Sequence, residues 1–106
     1  MVVMQAKYYN KITIVDEIRF HSKKEAKRYS ELLLLQKAGE ISFLELQYPF
    51  DFAIDGKRIF TYVCDFTYRN KQGEMVVEDV KGFRTPVYRL KKKLIEAYYK
   101  IKIWEL

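Results

Sequence analysis

The sequence has one cysteine, Cys64, and one histidine, His21, among 106 residues. A single thiol excludes an internal disulfide and a cysteine-based zinc cluster. A single imidazole argues against a His-centred triad or a His-rich metal site. Two prolines and four glycines, with no repeat and no biased stretch, leave no linker. No apolar run approaches the ~20 residues a membrane helix needs, and no charged-then-apolar leader opens the chain. The expectation is a soluble, intracellular protein of one domain, residues 1–106, whose chemical resources are Asp, Glu, Lys and Tyr.

What is present is a core and a charge gradient. Hydrophobic residues make up 49% and charged residues 32%, the composition of a folded domain. Aromatics are 16%, and in so small a domain most of them must be core. The net charge is +6, and it is concentrated. Residues 81–106 hold eight of the 20 basic residues but only two of the 14 acidic ones, so residues 1–80 are neutral. A concentrated basic region suits a polyanion, most simply nucleic acid, and otherwise forms a solvated helix face.

Punctuation divides the chain into elements. Residues 1–10 carry no clear pattern, and 11–15 with 18–20 read as a short hairpin around Asp16-Glu17. Ser22 followed three residues later by Glu25 is a capping box. Ala26, Tyr29, Leu32 and Leu33 then recur at helical spacing, which predicts a helix over 23–38 closed by Gly39. Residues 45–54 read as an edge or bulged strand, because Pro49 lacks the N–H a central ladder needs. Asp55-Gly56 is a hairpin turn. Strands over 58–69 and 74–81 follow. Pro86 opens a helix over 86–99 with Val87, Leu90, Leu94 and Tyr98 as its inward stripe. Residues 100–106 end the chain in extended form. A short hairpin, then helix, three strands, helix and strand, makes a mixed α/β fold.

The informative place is the turn Lys71-Gln72-Gly73. It fits a three-residue hairpin loop with Gly in the left-handed position. That register pairs Asn70 with Glu74 and, counting back, Asp65 with Asp79, whose Cβ atoms would lie ~4.5–5.5 Å apart. Lys81 projects from the same face as Asp79. Opposed carboxylates destabilise a ladder unless neutralised, and Mg²⁺ is a natural partner for them. A four-residue loop would instead bring Glu78 beside Asp65 and turn Asp79 away. A salt bridge from Asp65 to Lys81 or Arg69 would satisfy the face without a metal.

Asp65 followed by Asp79-Val80-Lys81, on strands preceded by a helix carrying Glu25, resembles the PD-(D/E)XK nuclease superfamily. That superfamily's core has the same order of elements. More narrowly, FHSKKEAKRYSELL, CDFTYRNKQGEMVVEDVKG and YRLKKKL resemble a family of small phage and prophage proteins of unknown function within it, over roughly residues 18–106. Cys64 stands where the superfamily commonly has Pro, and Asp79 where Glu is commoner. The resemblance implies a restriction-endonuclease-like core. It makes Asp65 the central metal ligand and Asp79 the second, joined by the Val80 carbonyl. Lys81 would orient or activate the attacking water, or stabilise charge on the phosphate. Glu25 would reach the metal from the first helix, although capping with Ser22 accounts for it as well. Lys91 is the basic residue of the second helix placed at the site. Arg84 and Thr85 would contact phosphate, with Tyr88 and Lys92 beside them, and Lys23, Lys24 and Lys27 would form a second basic patch near Glu25.

The expected function is a Mg²⁺- or Mn²⁺-dependent endodeoxyribonuclease hydrolysing DNA phosphodiester bonds. Branched DNA in phage replication or recombination is the leading substrate, as for Holliday junction resolvases, and a homodimer the leading assembly. The expected location is the cytoplasm of a bacterial host, with phage or prophage origin and no membrane partner. Two other classes fit the same charge pattern: a non-catalytic nucleic-acid-binding module on the same fold, and a phage assembly or interaction protein.

Overall fold

A computed structural model describes residues 2–5, 11–15, 17–80 and 84–106. The chain forms two compact units, Met1–Glu40 and Ile41–Leu106.

In the first unit, β1 (Val2–Gln5), β2 (Lys11–Val15) and β3 (Ile18–Phe20) make an antiparallel sheet in that order. The hairpin expected over 11–20 is β2–β3, and β1 is a strand that the pattern of residues 1–10 did not announce. The first helix, α1 (Lys23–Lys37), starts where its cap dictates: Ser22 Oγ accepts from the Glu25 N–H at 3.1 Å. Ala26, Tyr29 and Leu32 are buried at helical spacing, and the Phe20 and Tyr29 rings lie 5.0 Å apart. Gly39, at φ 78°, supplies the left-handed residue that turns the chain out of the helix.

The second unit is a four-stranded sheet under one helix. Strands β4 (Ser42–Ile54), β5 (Lys57–Arg69) and β6 (Met75–Asp79) form an antiparallel meander. Helix α2 (Pro86–Tyr99) then carries the chain back, so that β7 (Ile103–Glu105) lies parallel to β6. The order β4-β5-β6-β7 puts the strand with Pro49 on an edge. Asp55 and Gly56 both have positive φ, 49° and 77°, which is the two-residue turn joining Ile54 to Lys57. The mixed α/β order expected from the sequence is the observed one.

The β5–β6 hairpin has the three-residue loop. Asn70 donates its N–H to the Glu74 carbonyl at 3.0 Å, Gly73 sits at φ 80°, and the ladder runs from Arg69–Met75 to Phe66–Glu78. Further in, simple alternation fails. Cys64 to Thr67 and Val77 to Val80 are each four buried residues in a row, so the centre of the sheet is covered on both faces. One core joins Phe50, Tyr62, Cys64, Val77, Ile95 and Ile103.

Helix α2 corrects one expectation. Val87, Leu90 and Tyr98, read as inward, are exposed, while Ile95 is fully buried. The helix is rolled onto its Tyr88–Ile95–Tyr99 side. Ile95 enters the core, Tyr99 donates its hydroxyl to the Asp51 carbonyl, and Tyr88 reaches two carboxylates. Those polar anchors outweigh the apolar stripe.

Because Gly73 holds the register at a positive φ with open space around its Cα, Gly73→Ala should cost roughly 1–2 kcal/mol of backbone strain. At roughly 4–8 °C per kcal/mol for a domain of this size, thermal melting reads this directly. Gly73→Asn should cost less. An unchanged midpoint for the Ala variant would contradict the left-handed loop.

Candidate functional site

The register brings Asp65 opposite Asp79, but the backbone ladder stops one pair short. Side chains replace it. Asp79 Oδ1 accepts from the Asp65 N–H at 3.0 Å, and Asp65 Oδ2 accepts from the Val80 N–H at 2.7 Å. Each carboxylate therefore satisfies an amide of the opposite segment. Both are buried, Asp79 completely. A hydrogen bond to a charged group contributes roughly 1.5–3 kcal/mol, more than a like-charge pair across a ladder costs. The far side of β6 is held as well, since Leu106 donates its N–H to the Asp79 carbonyl at 2.9 Å.

The remaining carboxylate oxygens point to two different neighbours. Asp65 Oδ1 lies 3.4 Å from the Gln47 amide nitrogen. Gln47 sits opposite Asp65, between the pairs Leu46–Phe66 and Tyr48–Cys64, and its φ of 52° is left-handed. That conformation is uncommon for a residue with a long side chain. Asp79 Oδ2 lies 3.4 Å from the Tyr88 hydroxyl, which donates more closely to Glu105 Oε2 at 2.9 Å. Glu105 is there because the parallel β6–β7 pairing sets it beside Asp79. Arg84 Nε at 2.8 Å and Lys92 Nζ at 3.2 Å complete its surroundings.

This network fixes protonation. Burial pushes the Tyr88 phenol well above its usual range, and the Asp79 and Glu105 carboxylates push it further the same way, so Tyr88 stays a donor. Burial raises the Glu105 carboxyl, but hydrogen bonds from Arg84, Tyr88 and Lys92 outweigh it and hold the group below its ordinary value.

The residues expected at a site divide into several groups. Asp65, Asp79, Val80, Arg84, Tyr88 and Lys92 come together around β6, β7 and α2. Lys81 lies outside the described residues. Thr85 is the α2 cap, accepting from the Tyr88 N–H at 3.0 Å. Lys91 places its ammonium 5.4 Å from the centre of the Phe60 ring. Glu25, buried, belongs to the first unit, where Lys23, Lys24 and Lys27 are exposed on α1. Glu78 pairs opposite Phe66 and takes the Tyr68 hydroxyl, so the alternative register does not occur. Arg69, one of the two salt-bridge partners considered for Asp65, donates instead to the Gly73 carbonyl at 3.2 Å, and the other, Lys81, is not among the described residues. Among the described residues, no three or more His, Cys, Asp or Glu side chains form a metal-binding group.

Gln47 and Glu105 were not expected in the site. Their only sequence signals were polarity within a strand and a lone acid in a basic tail, and neither reveals which strands pair. A separate cleft of about 340 Å³ is lined by Phe43, Glu45, Tyr48, Tyr68, Arg69 and Met75 among others, and none of the carboxylate pair reaches it.

A family described as a protein of unknown function (DUF1064) matches residues 5–104. Neither the curated proteins nor the solved structures contain a match.

Two stability tests follow from the geometry. Asp65→Ala leaves the Val80 N–H buried without its acceptor and should cost about 1–3 kcal/mol. Asp65→Asn keeps an acceptor oxygen for the Val80 N–H and removes one of two like charges, so in metal-free buffer it should lose less than the Ala variant. Equal losses in both variants would contradict the reciprocal bonding. Glu105 supplies the pH dependence. Its folded pKa is depressed, so its contribution is complete above its ordinary value of 4.5 and is lost as pH falls through the folded value. Glu105→Gln should therefore melt below the wild type at pH 7, with the gap closing on the acid limb; a pH-independent gap would contradict the ion network.

Proposed function

We propose that this chain, which belongs to the DUF1064 family, is a metal-dependent endodeoxyribonuclease of the PD-(D/E)XK type. The observation that carries the reading is the pairing of Asp65 with Asp79 at the end of the β5–β6 ladder, followed at once by Val80 and Lys81. The order α1, β4–β6, α2, β7 supports it, as does the basic character of residues 81–106.

The donor set suits a hard divalent cation. Two carboxylates are enough for Mg²⁺, which keeps several waters and takes further oxygens from substrate phosphate. Asp65 Oδ1, Asp79 Oδ2 and the Val80 carbonyl would hold it. A bound cation would lower the pKa of a water and counter charge on the phosphate. The chain's own residues do the rest. Tyr88 and Gln47 orient the two carboxylates, Lys81 positions or activates the water, and Arg84 with Lys92 face the phosphate backbone. Branched DNA and a homodimer complete the proposal.

A non-catalytic nucleic-acid-binding module is the second reading. It is favoured by the fact that the inner carboxylate oxygens are already committed to backbone amides.

Incubation with branched, linear duplex and single-stranded DNA, in Mg²⁺, Mn²⁺ or EDTA, separates the two. Cleavage should require metal, disappear in Asp79→Asn and Lys81→Ala, and survive in Glu78→Gln. Metal-independent binding without cleavage of any of the three DNAs would overturn the nuclease.

A further inference from the structure

Between α2 and β7 lies a cleft of about 480 Å³, lined by Arg84, Arg89, Lys92, Lys93, Glu96 and Glu105. Its two acids are already engaged. Glu96 Oε2 accepts from the Ile103 N–H at 2.8 Å, and Glu105 accepts from Arg84, Tyr88 and Lys92. The Arg89 guanidinium and the Lys93 ammonium have no hydrogen bond or ion pair among the described residues. They stand one helical turn apart, a spacing at which like charges repel. With Arg84, Arg89, Lys92 and Lys93 against Glu96 and Glu105, the lining keeps an excess of positive charge, which suits an anion.

We propose that this cleft is a phosphate subsite, and that its ligand is a backbone phosphate of a nucleic-acid strand flanking the one at the carboxylate pair. The guanidinium fork of Arg89 matches two phosphate oxygens, and Lys93 adds a point charge beside it. The cleft adjoins the candidate site directly: Glu105, one of its walls, shares the Tyr88 hydroxyl with Asp79. A strand with one phosphate at Asp65 and Asp79 would continue along α2 and place a neighbouring phosphate over Arg89 and Lys93. The nucleic-acid part rests on the proposed function; the anion site does not.

The test uses the full chain and the variant R89Q/K93Q, both kept in EDTA so that cleavage plays no part. Titration with inorganic phosphate, followed by NMR of the Arg89 side-chain N–H and the backbone amides of residues 89–93, should shift those signals in the wild type only. No shift would overturn the anion site. Binding of labelled duplex DNA is then measured against salt. Loss of one phosphate contact should reduce the slope of log K against log salt by about 0.9 in the variant. A phosphate response with an unchanged DNA slope would overturn the strand assignment while leaving a small phosphorylated ligand. A reduced slope in a protein that cleaves no DNA would support the subsite and count against the nuclease alone.

Discussion

The structure of the second unit turns on two buried carboxylates that each accept an amide from the other's segment. Asp79 takes the Asp65 N–H, and Asp65 takes the Val80 N–H. Burying charge is costly unless the charge is hydrogen-bonded, and leaving a strand end unpaired is costly unless its amides find acceptors. The exchange meets both conditions at once. It lets β5 and β6 part without an orphaned donor, and it holds two acidic groups side by side. A pair of apolar residues here would leave both N–H groups buried and unmet.

The rest of the unit is arranged around that pair. Parallel addition of β7 sets Glu105 beside Asp79, and Arg84 and Lys92 converge on Glu105. Helix α2 is rolled to deliver the Tyr88 hydroxyl, which stays protonated between two carboxylates. The consequence is visible on the outside of the helix, where Val87 and Leu90 remain exposed. A left-handed Gln47 closes the other side against Asp65. Residues in sparsely populated backbone regions concentrate at functional sites, where the surrounding structure holds them.

Much of this was legible in the chain, for physical reasons that differ by element. The caps Ser22 and Gly39 and the turn Asp55-Gly56 act through local chemistry, so their positions could be read directly. Gly73 did more: a three-residue loop sets a register, and a register places Asp65 against Asp79 at a distance of 14 residues. The roll of α2 was not legible. Its hydrophobic pattern favours Val87, Leu90 and Leu94, and only the polar partners of Tyr88 and Tyr99, which belong to distant strands, reverse that preference. Glu105 and Gln47 were hidden for the same reason, because β6–β7 pairing and the place of Gln47 opposite Asp65 are tertiary facts. Four buried residues in a row on β5 and again on β6 likewise defeat a period-two reading.

The proposed nuclease requires the Asp65–Asp79 pair to hold a divalent cation between the two segments. Titration of ¹⁵N-labelled protein with substoichiometric Mn²⁺ tests it most directly, because paramagnetic broadening reports proximity to the ion whether or not a DNA substrate is known. The amide signals of Asp65 and Val80 should broaden first and together, and excess Mg²⁺ should restore them. Broadening that begins at other acidic residues, or that leaves these two amides sharp, would contradict the account.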